Sequence, residues 1–265
     1  MADASVMLLH GLLGAPASWD DVVRALGARA TTPSTPWLPG HGPAAGPPPE
    51  GAFEAVIERL GALWLTTRTT LVGYSLGGRL ALALAARFPE RVRGVVAIGA
   101  HTGLSSQTER TERVAWERGL VSDLERGGLP AFVDAWEQQP IFATQALLSQ
   151  VDRDRQRQIR LGHQPSGIGW AIDVLGTGKM PALLGPLARV GVPVIFAVGA
   201  LDRRAVAVAR EAMGVLPRAE VVVVPEAGHN LLLEAPSVVA DLIVEMAGSA
   251  GRSVAPPRPS PGAAS

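Results

Sequence analysis

The chain has 265 residues, 47% of them hydrophobic and 18% charged, which is enough apolar side chain to bury one sizeable core. Its 24 basic and 24 acidic residues balance to a formal net charge of zero, and this excludes bulk attraction to nucleic acid or to an anionic membrane. The absence of cysteine excludes a disulfide framework and a thiolate metal site, and fits a reducing cytoplasm.

The opening "MADASVMLLHGLLGAPASW" has no basic n-region, and His10-Gly11 ends its apolar run. Residues 5–9 therefore read as a buried strand, not as a signal peptide. A helix is predicted over 19–28, and a Pro- and Gly-rich loop over 31–49. A helix follows at 53–65, a strand at 69–73, a helix at 76–89 stopped by Pro89, and a strand at 92–100. Residues 103–180 change texture: many charges, several tryptophans and helical spacing, with no strand pattern. Strands return at 193–202 and 219–229, and a last helix at 237–248. The tail at 249–265 lacks apolar periodicity and is expected to be disordered. No apolar run approaches the ~18–20 residues that span a bilayer. A soluble cytoplasmic protein is expected, a monomer or weak homo-oligomer.

Strands alternating with helices imply an α/β protein with a mostly parallel sheet covered on both faces. The expected organisation is a core at 1–102 and 181–248, with residues 103–180 as a helical cap inserted after the 92–100 strand. Such a cap would lie over the C-terminal edge of the sheet, where ligands bind in these architectures.

Gly73-Tyr74-Ser75-Leu76-Gly77 fits G-x-S-x-G between a strand and a helix, the context that turns a serine hydroxyl outward. A serine needs a base. His229 follows a strand in "PEAGHN", and Asp202 ends one in "AVGALD". The chain order Ser75, Asp202, His229 suits a triad in which Asp202 orients the imidazole and His229 takes the serine proton. Taken singly, Asp202 also reads as a helix N-cap and His229 as a loop residue. In "LHGLLG", the turn after His10-Gly11 offers a backbone N–H near Leu12, which would form an oxyanion hole with that of Leu76. His41, in the second His-Gly turn "LPGHG", reads as structural. The five histidines show no ligand spacing, so neither a metal nor another cofactor is expected.

Arg79 lies four residues after Ser75, one helical turn on, where a guanidinium could hold a carboxylate. Arg110 and Arg113 in "ERTER", and Arg153, Arg155, Arg157 and Arg160 in "DRDRQRQIR", repeat the theme, although most arginines in such runs are solvated. Trp136 reads as a cap core residue or a pocket wall.

With "LHGLLG", "LPGHG", "GYSLGG", "GALD" and "AGHN" in this order, the chain resembles the α/β-hydrolase superfamily over 5–248. "GYSLGGR", "ERTER", "AWEQQPIF" and "QIRLGHQPSGIGWAIDVLGTG" narrow the resemblance to the 2-succinyl-6-hydroxy-2,4-cyclohexadiene-1-carboxylate synthases of menaquinone biosynthesis. That resemblance implies a lyase that expels pyruvate from an enolpyruvyl ether, with the triad serine as base and a polycarboxylate small molecule as substrate. By motif it carries over Ser75, Asp202 and His229 as the triad. Tyr74, Arg79, Arg113, Arg160, Trp136 and Gln107 become substrate contacts. Three departures stand out. Trp37-Leu38 replaces an acid before "PGHG", Arg204 stands where the family often has lysine, and the chain starts directly on the "LLHG" strand. The competing reading is a hydrolase acting on an ester or carbon–carbon bond of an acidic substrate. A non-catalytic binding module is disfavoured by the intact triad.

Overall fold

The computed structural model describes residues 5–29, 32–46, 48 and 51–249. Five parallel strands, β1 (Ser5–Leu9), β2 (Thr69–Tyr74), β3 (Val92–Ile98), β4 (Val194–Gly199) and β5 (Ala219–Val224), lie in the order β1-β2-β3-β4-β5. Helices α1 (Asp20–Leu26), α2 (Phe53–Trp64), α3 (Leu76–Arg87), α7 (Leu184–Val190), α8 (Arg203–Val215), α9 (Leu231–Glu234) and α10 (Pro236–Ser249) flank this sheet. Between β3 and β4 run α4 (Gln107–Glu137), α5 (Gln150–Leu161) and α6 (Pro165–Leu175). Every strand and every core helix expected from the pattern is present, with ends shifted by a few residues. The expected disordered tail lies outside the described residues apart from Ser249, which ends α10.

Handedness explains which helix lies where. Parallel crossovers are right-handed, so steps in one direction along a sheet put their helices on one face. The steps from β1 to β5 all go one way, and α2, α3, α7 and α8 share a core with Leu9, Leu71, Val95 and Phe196. From β1 the chain first steps the other way. Ser34, in the segment expected to be loop, bridges to β1 through Leu8 N–H to Ser34 O (2.8 Å) and Ser34 N–H to Val6 O (2.9 Å). The helix inside that reverse step, α1, therefore lies on the opposite face, where it packs with α10 over Val6, Leu8, Val72, Val96 and Ile98. The two-residue alternation of each strand thus feeds two separate cores.

Helix α4 is not one rod. Gly128 takes φ 72° and ψ 174°, and Pro130 follows, so the helix breaks there. Its two halves pack with α6 around a third core of Leu124, Leu129, Phe132, Val133, Ile168 and Ile172. Leu13, from the turn after β1, completes this core. The insertion is joined to the rest of the protein by the Arg155–Asp21 ion pair and by Gln164, which bonds Gly42 O and Pro43 O.

Among the described residues no helix is long and apolar enough to cross a membrane. Trp19 is fully buried between α1 and the sheet. Trp19→Ala is expected to lower unfolding free energy by about 3–5 kcal/mol, read from the urea midpoint at constant slope.

Candidate active site

The strand ends converge. Register pairs Leu9 with Gly73, Gly73 with Ala97 and Ala97 with Phe196, so the turns after β1, β2, β3 and β4 share one edge of the sheet. Ser75 fills the single position between β2 and α3, at φ 51° and ψ −107°. Such a conformation costs a non-glycine residue roughly 1–3 kcal/mol and persists only when its surroundings hold it. Here Ser75 N–H donates to Ile98 O (2.8 Å), and Ser75 O accepts from Arg79 N–H (3.0 Å). Gly77 is required next to it, because a Cβ there would overlap the Leu9 carbonyl.

Asp202 and His229 meet as the sequence pattern suggested, at 2.6 Å between Asp202 Oδ2 and His229 Nδ1. The N-cap reading of Asp202 holds as well, because its Oδ1 accepts Ala205 N–H at 3.0 Å. One carboxylate therefore closes α8 and orients the imidazole. Burial opposes its charge, but the bonds from His229 and Ala205 and the nearby Arg204 outweigh this and hold its pKa below the usual value. Arg204 itself is exposed. Glu234, a residue the sequence pattern did not flag, accepts Gly228 N–H (2.6 Å) and Asn230 N–H (3.2 Å) and so fixes the loop that carries His229. The imidazole packs 5.3 Å from the ring of Tyr74, which is buried, and 6.1 Å from Phe142. Burial raises the Tyr74 pKa well above its ordinary value, against the opposing pull of Arg160. No hydrogen bond among the described residues joins Ser75 to His229. Catalytic bonds of this kind commonly tighten when substrate arrives.

The turn after β1 is held by named bonds. Leu13 N–H donates to His41 Nε2 (3.2 Å), Gly14 N–H to Gly11 O (3.0 Å) and Ala15 N–H to Ser18 Oγ (3.0 Å). The N–H groups of Leu12 and of Leu76, first residue of α3, have no such partner among the described residues. Both residues line a small cavity of about 30 Å³, well below the ~300–1,000 Å³ common for small-molecule clefts.

Arg79, Arg113 and Trp136 line the same cavity. Arg79 bonds the Leu175 carbonyl and has no carboxylate partner among the described residues. Burial lowers its pKa to about 10, with Glu117 opposing and Arg113 adding to the shift, so it remains cationic at neutral pH. Arg113 lies over the ring of Trp116 at 4.2 Å and bonds Glu117 at 2.7 Å. Glu117 is 4% exposed and also accepts Thr177 N–H (2.7 Å) and Gly178 N–H (3.2 Å). A Cβ at Gly176 would overlap its carboxylate, which explains the "GTG" turn. The i,i+4 pair Arg113–Glu117 could have been read from the sequence.

Arg160 and Gln107 do not line this cavity. Arg160 is 4% exposed inside the insertion, bonded to Glu137 (2.8 Å) and Gln145 (3.0 Å) and 5.2 Å from the Phe142 ring. Gln107 is exposed at the start of α4. The other arginines in the run are tied elsewhere: Arg153 to the Leu148 carbonyl, Arg155 to Asp21, Arg157 to Asp134 and Glu137. Arg110 bonds the Leu104 carbonyl.

A family model described as "Alpha/beta hydrolase family" matches residues 6–242. The chain belongs to the alpha/beta hydrolase family. Within it, this hydrolase-family chain is 31% identical over 240 residues to the 2-succinyl-6-hydroxy-2,4-cyclohexadiene-1-carboxylate synthase of Serratia proteamaculans (strain 568), covering 88% of each protein. A Bacillus subtilis (strain 168) protein that carries the same synthase name in provisional form is 35% identical over 178 residues, spanning 67% of this chain and 65% of that protein. Among solved structures, MenH from S. aureus superposes with a TM-score of 0.87 at 24% identity, over 94% of this chain and 95% of that one, which is a likeness of fold.

Four histidines of this hydrolase-family chain have pKa values lowered, chiefly by burial: His10 to about 3, His101 to about 4, and His41 and His163 also below the usual value. In the unfolded chain they titrate near 6.5 (roughly). Between these limits the unfolded state binds more protons, so stability is full above the unfolded value and is lost as the pH falls toward the folded ones. Denaturation in urea is expected to shift to lower midpoints from pH 7 to pH 5, by up to about 1.4 kcal/mol per pH unit for each histidine. A midpoint unchanged across that range contradicts the buried neutral imidazoles.

Proposed function

We propose that the protein is a carbon–oxygen lyase of menaquinone biosynthesis that converts 2-succinyl-5-enolpyruvyl-6-hydroxy-3-cyclohexene-1-carboxylate into 2-succinyl-6-hydroxy-2,4-cyclohexadiene-1-carboxylate and pyruvate. The observation that carries this reading is one cavity lined by Leu12 and Leu76, whose N–H groups have no partner among the described residues, and by Arg79, a half-buried cation with no carboxylate partner there. A neutral ester has no use for that cation, whereas a substrate bearing several carboxylates does. The synthase names of the relatives agree with it.

In this mechanism Asp202 holds His229 through Nδ1, and His229 withdraws the proton of Ser75. Ser75 Oγ then takes the ring hydrogen next to the succinyl carbonyl. The C–H electrons enter the ring, the existing double bond shifts, and the ring carbon–oxygen bond to the enolpyruvyl group breaks. Two conjugated double bonds result, and the departing enolpyruvate takes up a proton to become pyruvate. Charge developing on the succinyl oxygen is met by the Leu12 and Leu76 N–H groups. Arg79 and Arg113 hold carboxylates, and Trp136 forms a wall. Tyr74 supports His229 from beneath. Arg160 acts by shaping the cap through Glu137, and Gln107 contributes only if the start of α4 moves inward. Residues 103–180 serve as the cap of a core made of 1–102 and 181–248, and the protein works in the cytoplasm as a monomer or weak homo-oligomer.

Purified protein given the enolpyruvyl substrate is expected to release pyruvate stoichiometrically. Failure to do so in a folded sample, together with efficient turnover of short acyl esters, replaces the lyase with a hydrolase. Arg79→Ala is expected to cost about 2–5 kcal/mol in kcat/KM, the range for truncating one partner of a buried charge pair. A loss below about tenfold removes Arg79 from substrate binding.

A further inference from the structure

Three buried imidazoles stand edge to face beside the oxyanion turn: His10 and His41 are 5.0 Å apart between ring centres, and His41 and His163 are 5.4 Å apart. They come from three segments, the turn after β1, the "LPGHG" loop and the α5–α6 turn of the cap. Each accepts a backbone N–H across a segment boundary. His10 Nε2 accepts that of Leu38 (3.1 Å), His41 Nε2 that of Leu13 (3.2 Å) and His163 Nδ1 that of Gly42 (3.0 Å). Their second nitrogens settle the tautomers. His10 Nδ1–H donates to Gly11 O (2.8 Å) and His41 Nδ1–H to Pro39 O (3.0 Å). The proton of His163 is then on Nε2, which is buried and has no hydrogen-bond partner among the described residues.

The Leu13 N–H is therefore held by His41, and the residue next to His41, Gly42, is held in turn by His163 of the cap, whose ring packs edge to face on His41. Leu13 needs this grip, because it holds φ 58°, a conformation unfavourable for a leucine. Its side chain, fully buried, is seated in the cap core. The residue before it is Leu12, which lines the cavity and whose N–H has no hydrogen-bond partner among the described residues.

We propose that His41 and His163 are positioning residues, His41 holding the Leu13 N–H and His163 holding Gly42 beside His41 from the cap, and that together they aim the Leu12 N–H at the developing oxyanion. The inference rests on the oxyanion role given above to Leu12 and Leu76, and not on the identity of the substrate. An imidazole can accept a hydrogen bond only when neutral. Burial lowers the pKa of both rings, which keeps them in that form. Both nitrogens of His10 and of His41 and the Nδ1 of His163 are spent on backbone groups, and among the described residues no cluster of histidines and carboxylates is disposed to hold a metal ion.

The test compares His41→Leu, His163→Leu, His41→Gln and His163→Asn by two readouts: pyruvate release, and the second-order rate at which a fluorophosphonate modifies Ser75. A donor aimed at a transition-state charge affects kcat rather than KM. Each leucine variant is expected to lose about tenfold to a hundredfold in kcat, below the cost of deleting an oxyanion donor outright, with KM within about twofold. Phosphonylation, which also builds charge in that hole, is expected to slow by a similar factor. His41→Gln restores an acceptor for Leu13 N–H and His163→Asn one for Gly42 N–H, and each is expected to recover to within about threefold of the parent. Leucine variants that fold and keep kcat and phosphonylation within about twofold overturn the proposal, as does a loss confined to KM. If the leucine variants do not fold, His41→Ala and His163→Ala replace them, and rates within about twofold of the parent overturn the proposal. A parent that is phosphonylated but releases no pyruvate refutes the lyase reading alone, and phosphonylation rates still judge the positioning.

Discussion

The site depends on the close approach of the α3 N-terminus to the ends of β1 and β2. Gly77 lies against the Leu9 carbonyl, with no room for a Cβ. From that contact follow the left-handed backbone of Ser75, the adjacency of the Leu12 and Leu76 N–H groups, and the position of Arg79 one turn into the helix. A reactive serine, two unspent donors and a cation are brought together by backbone packing before any side-chain network is added. The partial positive charge at the start of α3 adds to the same field.

Around that frame, carboxylates decide which arginines remain available. Arg160 is buried with Glu137, and Arg157 shares the same acid. Arg113 is held by Glu117, whose other bonds come from the Thr177 and Gly178 backbone. Burying such charges costs several kcal/mol per ion (roughly) unless pairing and hydrogen bonds offset it. The cap meets this cost for Arg113 and Arg160 and leaves Arg79 with a carbonyl alone. The contrast is what sets Arg79 apart from the other two, and an arginine-rich sequence does not display it.

The strands, the core helices, the turn at Ser75 and the Asp202–His229 pair were legible because each depends on local pattern: apolar runs ending in turns, G-x-S-x-G at a strand–helix junction, and an acid and a histidine after later strands. The pairing of Asp202 with His229 then needed only the order of strands. What escaped depends on contacts far apart in sequence. Glu117 is one acid among many until the backbone of Thr177 and Gly178 reaches it. The motif that carries Arg160 is silent about its bond to Glu137. His163 gives no local signal, since its partner, Gly42, lies more than a hundred residues away. The bridge at Ser34 was hidden in a Pro- and Gly-rich segment, where composition argues for loop and only the β1 edge argues otherwise.

Leu13 carries a consequence for engineering. Its backbone belongs to the turn that follows β1, yet its side chain is an interior residue of the cap. The two parts are thus not interchangeable modules. Grafting residues 103–180 onto a related scaffold would leave a leucine-sized hole in the graft unless residues 12–14 travelled with it. Diversifying the cap to change substrate preference would in turn disturb the donor geometry below. Under the proposed oxyanion role of Leu12, selectivity and rate are mechanically coupled through one leucine, and directed changes to either must begin by keeping its seat intact.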